Sequence, residues 1–213
     1  MINKNLFLKI EGDKYFLRNK KKLNSTNYEK DKLQIFISKK LDELKSKKPK
    51  LLEIGCGDGG RLSYLKKKFP NVGFFGLEPS KIALKNINKK IKIKKGSADN
   101  LPFPNNFFDI VVFGFCLYLV DDKDLFNVAN ETNRIMCSKS WLFIKDFETK
   151  NITYKKYKHN KKIKIRKMDY TKMFLWSPYM TLSHKETFSH GKNETWSDNE
   201  DNKIAINCIR KNI

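Results

Sequence analysis

Three acidic residues and four glycines stand at spacings that could hold a nucleoside. Glu53 precedes the glycines in Leu51-Leu52-Glu53-Ile54-Gly55-Cys56-Gly57-Asp58-Gly59-Gly60. Glu78 closes a second apolar run, Val72-Gly73-Phe74-Phe75-Gly76-Leu77-Glu78, and is followed by Pro79 and Ser80. Asp99 follows a third, in Ser97-Ala98-Asp99-Asn100-Leu101-Pro102-Phe103. A glycine turn lets a ligand approach the backbone, because glycine has no Cβ and tolerates positive φ. A carboxylate at the end of the second strand can accept from both hydroxyls of a ribose. Two ligand classes fit the turn. Gly55, Gly57 and Gly60 satisfy G-x-G-x-x-G, a dinucleotide pattern; Glu53 with Gly55, Gly57 and Gly59 reads E-x-G-x-G-x-G. No phosphate-binding lysine follows Gly60.

Groups that could move a proton are fewer. They are His159, His184, His190, Tyr15, Tyr118 and Asp146. Histidine titrates in the useful range, and His159 lies among Tyr154, Tyr157 and Tyr170, so His159 is the first candidate and Tyr15 the second. The plainer reading of each lone histidine is a structural or surface residue. The four cysteines, Cys56, Cys116, Cys137 and Cys208, form no C-x-x-C pair, so no metal site is expected. They read as reduced thiols of a cytoplasmic protein. Cys116 is a small buried hydrophobe before it is a nucleophile.

The elements that must position these residues follow from periodicity. Leu51–Ile54 is a buried strand, the glycines a tight loop, and Arg61 to about Phe69 a helix stopped by Pro70. At the carboxyl edge of a parallel sheet this is where open α/β folds bind nucleotides. Val72–Glu78 is a second strand, with Ser80 capping a helix through Ile82, Ala83, Leu84 and Ile87. Ile91–Lys95 alternates apolar and basic residues, an edge strand. Phe107–Phe113 is nearly all apolar, a central strand. Asp122 opens a helix through Leu125, Val128, Ala129, Thr132, Ile135 and Met136, and Trp141–Phe147 is a fifth strand. Tyr179–His184 and Ile204–Ile209 form a terminal antiparallel pair. Near the amino terminus, Thr26-x-x-Glu29 reads as a capping box for an amphipathic helix with Leu33, Phe36, Ile37, Leu41 and Leu44 on one face.

The glycine turn behind Glu53 resembles motif I of class I S-adenosylmethionine (SAM)-dependent methyltransferases. The piece after the third strand, an acid behind a small residue and then Leu-Pro-Phe, resembles the post-strand-three motif of that family, which dinucleotide oxidoreductases do not typically carry. Phe108-Asp109-x-Val111 with Leu117-x-x-Val120-Asp121 is similar to the small-molecule branch called methyltransferase type 11. The resemblance covers residues 49–147 well and the flanks more loosely. It implies a Rossmann-like three-layer α/β sandwich, with a seven-stranded, mostly parallel sheet and an antiparallel last strand. It implies SAM as cofactor and S-adenosylhomocysteine as product. Residues at the cofactor would be Glu53, Gly55, Cys56, Gly57, Gly59, Glu78, Pro79, Ala98, Asp99, Asn100 and Phe115. Asp99 would accept from the adenine amine, and the Ala98 or Asp99 amide would meet a ring nitrogen. In many relatives a lead-in such as Tyr15-Phe16-Leu17-Arg18-Asn19 lies over the pocket as a lid; Arg18 would then pair with the SAM carboxylate and Tyr15 face the acceptor. The family's Pro-Gly or Gly-Gly turn before the fifth strand is replaced here by Cys137-Ser138-Lys139-Ser140.

The expected organisation is a lid and helix over 1–48, a SAM-binding core over 49–149, and a substrate-recognition insert with the terminal strand pair over 150–213. The acceptor is expected to be a small molecule, with a sugar or metabolite hydroxyl or carboxyl as a guess. Of the 213 residues, 45 are Lys or Arg and 23 Asp or Glu, a formal net charge of +22. Such charge would suit nucleic acid, so an RNA methyltransferase is the alternative, and a non-catalytic SAM-binding domain a further one. Against nucleic acid, only five of the basic residues are arginine, the residue that forks and stacks on RNA. The Asn/Asp-Pro-Pro-aromatic tetrapeptide of nucleic-acid amino-methylases is absent too. No run approaches the ~20 apolar residues that span a bilayer, and no membrane partner is expected. An NAD-type oxidoreductase would leave the Asp99 motif unexplained.

Overall fold

The computed structural model describes residues 4–46, 48–87, 91–191, 195–196 and 199–213. Nine strands and six α-helices run in the order α1 (Lys4–Leu6), α2 (Gly12–Asn24), α3 (Lys32–Glu43), β1 (Lys50–Ile54), α4 (Gly60–Lys68), β2 (Gly73–Glu78), α5 (Lys81–Lys85), β3 (Lys92–Lys95), β4 (Phe108–Gly114), α6 (Leu125–Ile135), β5 (Met136–Phe147), β6 (Thr153–Tyr157), β7 (Asn160–Lys167), β8 (Met180–Ser189) and β9 (Lys203–Lys211) among these residues. Seven of the strands form one sheet in the order β3-β2-β1-β4-β5-β9-β8. Its first five strands are parallel, and β9 runs antiparallel to both β5 and β8. This is the expected fold. Leu51 and Leu52 of β1 and Ile110, Val111, Val112 and Phe113 of β4 are all fully buried. Successive strand residues point to opposite faces, so both faces of the sheet are covered.

Register sets the position of the site. Ile54 of β1 pairs with Leu77 of β2 and with Phe113 of β4. The residues that follow, Gly55, Glu78 and Gly114, therefore leave the sheet side by side at one edge. The chain leaves β1 toward β2 and β3, then returns to place β4 on the other flank of β1. That reversal opens a crevice above the carboxyl ends of β1 and β4.

The lead-in over 4–24 is helical: α1 widens into a π turn at Phe7–Glu11 and continues as α2. Asp13 of α2 accepts from the Ser80 hydroxyl (2.6 Å) and the Ile82 amide (3.1 Å), tying this helix to the turn after Glu78. Three local readings are corrected. Thr26 does not cap α3; its hydroxyl donates back to Lys22 O at 3.0 Å. The cap is Asp31, which accepts from Gln34 N at 2.8 Å. Asp122 opens a short 3-10 turn, Asp122–Asp124, and α6 begins at Leu125. Before the expected fifth strand, Lys139 takes φ +56°, the conformation a glycine would supply, and β5 begins earlier, at Met136. The lysine- and tyrosine-rich stretch after β5 is a separate hairpin, β6–β7, whose Tyr157 and Ile163 pack on Leu6, Phe7 and Tyr15.

Candidate active site

A cavity of about 210 Å³ opens at the carboxyl ends of β1, β2 and β4, roofed by α1, the π turn and α2. Glu53, Gly55, Cys56, Gly57, Glu78, Pro79, Ala98, Asp99, Phe115 and Tyr15 all line it. Four other expected residues do not. Gly59 caps α4 with φ +77° and faces Ile91 and Ile93. Asn100 is exposed in a turn bridged to Ser97. Arg18 donates to Glu11 Oε1 at 2.5 Å and to the Tyr157 hydroxyl at 3.1 Å. His159 is exposed on the turn between β6 and β7, edge-on to Tyr157.

The loop geometry explains the glycines. Gly55 has φ +73°, and a Cβ there would lie 3.0 Å from Cys116 Cβ. Gly57 has φ +57°, and its nearest neighbour would be Leu23 Cδ1 at 3.8 Å, so its Cα faces cavity space. Cys116 backs this loop from below, its thiol donating to Ile54 O at 3.3 Å, and burial pushes that thiol well up. A buried, protonated thiol is a packing group rather than a nucleophile.

Glu53 sits at the floor. Its Oε1 accepts from Arg61 Nε at 3.0 Å, while Oε2 is buried with no hydrogen-bond partner. Arg61 continues to Asp31 Oδ1 (2.8 Å), whose other oxygen meets Lys145 at 3.2 Å. Burial opposes ionisation of Asp31, but Arg61 and Lys145 outweigh it and bring its pKa to about 2. Burial raises Glu53, with Arg61 acting against it. Glu78 accepts from Gly57 N (2.8 Å) and Ser80 N (2.9 Å), one bond per oxygen. Each oxygen keeps a lone pair for a ligand hydroxyl. Burial still holds Glu78 up at about 7.

The far end is acidic. Asp99 pairs with Lys4, which also lies 3.5 Å from Asp124. Burial opposes its ionisation, but Lys4 and the Ser97 hydroxyl outweigh it and hold Asp99 below the usual carboxylate range. Asp121 lines the same end, with Oδ1 buried and unpartnered. Lys4, Tyr28, Arg61, Asp121 and Asp124 are cavity residues that periodicity did not single out. Of the acids among them, only Asp121 carried a signal, as the residue after Val120 in Leu117-x-x-Val120-Asp121.

The opposite side is aromatic. Phe115 holds φ +74°, strained for a residue with a Cβ. Its amide donates to Lys145 O at 2.7 Å. Its ring meets Phe147 at 5.0 Å, Tyr118 at 5.3 Å and His190 at 5.1 Å, the last nearly parallel at 13°. Tyr15 and Tyr118 share a hydrogen bond, and burial pushes the Tyr15 hydroxyl up to about 12. Asp146 is a turn-holder: it accepts from Leu117 N (2.8 Å) and Phe147 N (2.8 Å), and burial lifts it to about 7. His184 lies tilted against Phe36 of α3, away from the cavity lining.

These residues fit SAM. The orphaned Glu53 oxygen is a buried acceptor facing a cavity, suited to an ammonium. Glu78 offers two acceptors for a ribose, and Asp99 one for an exocyclic amine. Among the described residues no group of three or more His, Cys, Asp or Glu could hold a metal ion.

The strand order, the glycine turn and the acids at the carboxyl edge define a Rossmann-like fold of the class I SAM-dependent methyltransferase type. Residues 51–138 match the family model described as a methyltransferase domain. A demethylmenaquinone methyltransferase of Lactobacillus johnsonii is 34% identical over 95 residues, 40% of this chain and 38% of the relative. A phthiotriol/phenolphthiotriol dimycocerosates methyltransferase of Mycobacterium leprae is 34% identical over 68 residues, 30% of this chain and 25% of the relative. The chain thus matches about a quarter to two-fifths of the length of these relatives. A putative sarcosine dimethylglycine methyltransferase from Galdieria sulphuraria shares the fold, with TM-score 0.67 at 14% identity over 95% of this chain and 98% of that one.

Proposed function

We propose that this protein transfers a methyl group from SAM to a small-molecule acceptor. The observation that supports it most is the set Glu53, Glu78 and Asp99 around one cavity, with a buried Glu53 oxygen awaiting a donor. SAM when bound supplies a sulfonium methyl and a good leaving group. This chain's residues then orient and exclude water, and alignment is worth much of the rate. Gly57 allows close approach, Glu53 takes the ammonium, Glu78 the ribose and Asp99 the adenine amine. Phe115 and Tyr15 form the wall toward the acceptor. With its pKa near 12, Tyr15 keeps its proton at neutral pH and acts there as a hydrogen-bond donor. His190, packed flat on Phe115, is held below the ordinary histidine range by desolvation of its ring and by Lys22, Lys167 and Lys145. A neutral imidazole is a competent proton acceptor, and we assign that role to His190 rather than His159.

The small-molecule acceptor draws support from the relatives, which include methyltransferases named for demethylmenaquinone, phthiotriol and, in Rauvolfia serpentina, ajmaline. All four cysteines are free, and we place the protein in the cytoplasm on that ground. No helix among the described residues is long and apolar enough to cross a membrane.

The test is calorimetric titration with SAM, S-adenosylhomocysteine and NAD in parallel. The reading expects micromolar binding of the first two and none of NAD. NAD binding alone would replace it with the oxidoreductase reading.

A further inference from the structure

The aromatic side of the cavity leads into a cluster of cations. Phe115 lines the cavity and stacks on His190. Phe147 touches both rings, at 5.0 Å and 5.5 Å, and carries Lys167 Nζ over its face at 4.2 Å. Lys167 is 6% exposed, yet its Nζ bonds only a backbone carbonyl, that of Asp201. Among the described residues no carboxylate lies within ion-pair distance of it. Lys22 stands on α2 next to the cavity-lining Leu23, and its charge is felt at the same histidine. So is that of Lys145 on β5, although Asp31 already engages that ammonium. Positive charge from α2, β5 and β7 thus surrounds one imidazole that lies flat on the Phe115 ring.

Burying an ammonium without a counter-charge is costly unless a ligand supplies one. The β7 strand runs on from Lys167 to Met168 and the Asp169 turn, and Asp169 spends its charge on Lys185 at 3.2 Å, not on Lys167. Asp201 is the nearest acid that acts on Lys167, but its carboxylate pairs directly with Lys155 at 2.5 Å, so Lys167 has no ion pair of its own among the described residues.

We propose that the acceptor is an aromatic or otherwise flat molecule bearing an anionic group, a carboxylate or a phosphate monoester, which Lys167 and Lys22 hold beside His190. The inference rests on the methyltransferase reading and deepens it by naming the acceptor's charge. Phe115 and Phe147 take the flat body, and the two ammoniums take the anion. The acceptor's nucleophilic atom is then presented across Phe115 to the cofactor side.

Histidine-labelled protein tests this directly, because the chain has three histidines. His159 on the hairpin turn and His184 against Phe36 serve as internal controls. The protein is first saturated with S-adenosylhomocysteine, monitored by calorimetry, then titrated with benzoate, with phenyl phosphate and with neutral benzamide while the three imidazole resonances are followed by NMR. We expect benzoate or phenyl phosphate to move His190 saturably, benzamide to leave it in place, and the other two histidines to stay still. Lys167→Gln should weaken the anion at least about tenfold, and Lys167→Arg should keep it. Lys22→Gln, at an exposed position that folding does not need, should weaken it several-fold. Absence of any anion effect, an equal response to benzamide, or unchanged affinity in both glutamine variants would overturn the proposal. Failure of S-adenosylhomocysteine to bind in the first step would instead remove the methyltransferase reading.

Discussion

Arg61 Nε donates to Glu53 Oε1 at 3.0 Å from the first turn of α4, so the helix that follows the glycine loop grips the acid that precedes it. The same guanidinium holds Asp31, the cap of α3. One arginine therefore joins β1, α3 and α4 beneath the cavity. Arg61→Met should cost about 3–5 kcal/mol, because it strands the buried Glu53 carboxylate and leaves half-buried Asp31 to Lys145 alone. Urea unfolding measures this. A loss under about 1 kcal/mol would show that solvent, not Arg61, balances those charges. Glu53→Gln, which keeps the shape but removes the charge, should spare more of the fold and weaken S-adenosylhomocysteine binding.

The Lys4–Asp99 pair at the cavity's far end bears on the adenine contact proposed for Asp99. Lys4 occupies the Asp99 carboxylate that the adenine amine would need. Asp99→Ala should weaken S-adenosylhomocysteine about tenfold or more, the worth of a hydrogen bond to a charged group. Lys4→Met should tighten it, by a factor of about 2–5, because a partly exposed ion pair holds less than ~1 kcal/mol. Calorimetry of both variants decides; a Lys4→Met protein that binds more weakly would mean that the lysine helps the ligand rather than competing with it.

Glu78 and Asp146 make stability depend on pH in an unusual direction. Burial, against amide hydrogen bonds that favour the charge, raises each to about 7 from ordinary values of 4.5 and 3.8. Between roughly pH 4 and 7 the folded chain keeps protons that the unfolded chain has released. Stability then falls as pH rises through that window and levels off above it. Glu78→Gln and Asp146→Asn should each flatten the urea midpoint between pH 5 and 8. In the unsubstituted protein S-adenosylhomocysteine affinity should rise over pH 6 to 8, as Glu78 gains the charge its ribose contacts use, and this rise should vanish in Glu78→Gln.

Two glycines should respond oppositely. A Cβ on Gly76 would stand 2.5 Å from Cys56 Sγ and 2.9 Å from Ile93 Cγ1, inside the sheet. Gly76→Ala should therefore destabilise by about 1–3 kcal/mol, with partial rescue by Cys56→Ala. A Cβ on Gly57 meets nothing closer than 3.8 Å. Gly57→Ala should lose only about 1–2 kcal/mol, for the left-handed backbone, yet bind S-adenosylhomocysteine far more weakly, because its methyl enters the cavity. Thermal melts and calorimetry on the two variants separate the effects.

The sheet was legible because its information is local. Leu51–Ile54 and Phe108–Phe113 are mostly apolar runs, short for helices and closed by glycines, and length with those flanks favours strands buried on both faces. The glycine turn and the acids at strand ends are local too, so most of the named residues could be expected together, and they line one cavity. Even the departure at Cys137–Ser140 was visible, although only the backbone shows that Lys139 supplies the missing turn at φ +56°.

What the tertiary structure alone decided lies between residues far apart in the chain. Lys145 meets Asp31 across 114 positions, Arg18 finds Tyr157 across 139, and Lys4 finds Asp99 across 95. A lone histidine carries no pattern that tells which ring it will meet. His159 looked favourable among its tyrosines. Both side chains are exposed, but the antiparallel return of β9 and β8 laid His190 on the cavity-lining Phe115, while the β6–β7 hairpin set His159 edge-on to Tyr157. Periodicity reports which face of an element is buried. It cannot report which buried faces meet, because that depends on how the whole sheet closes over its lid.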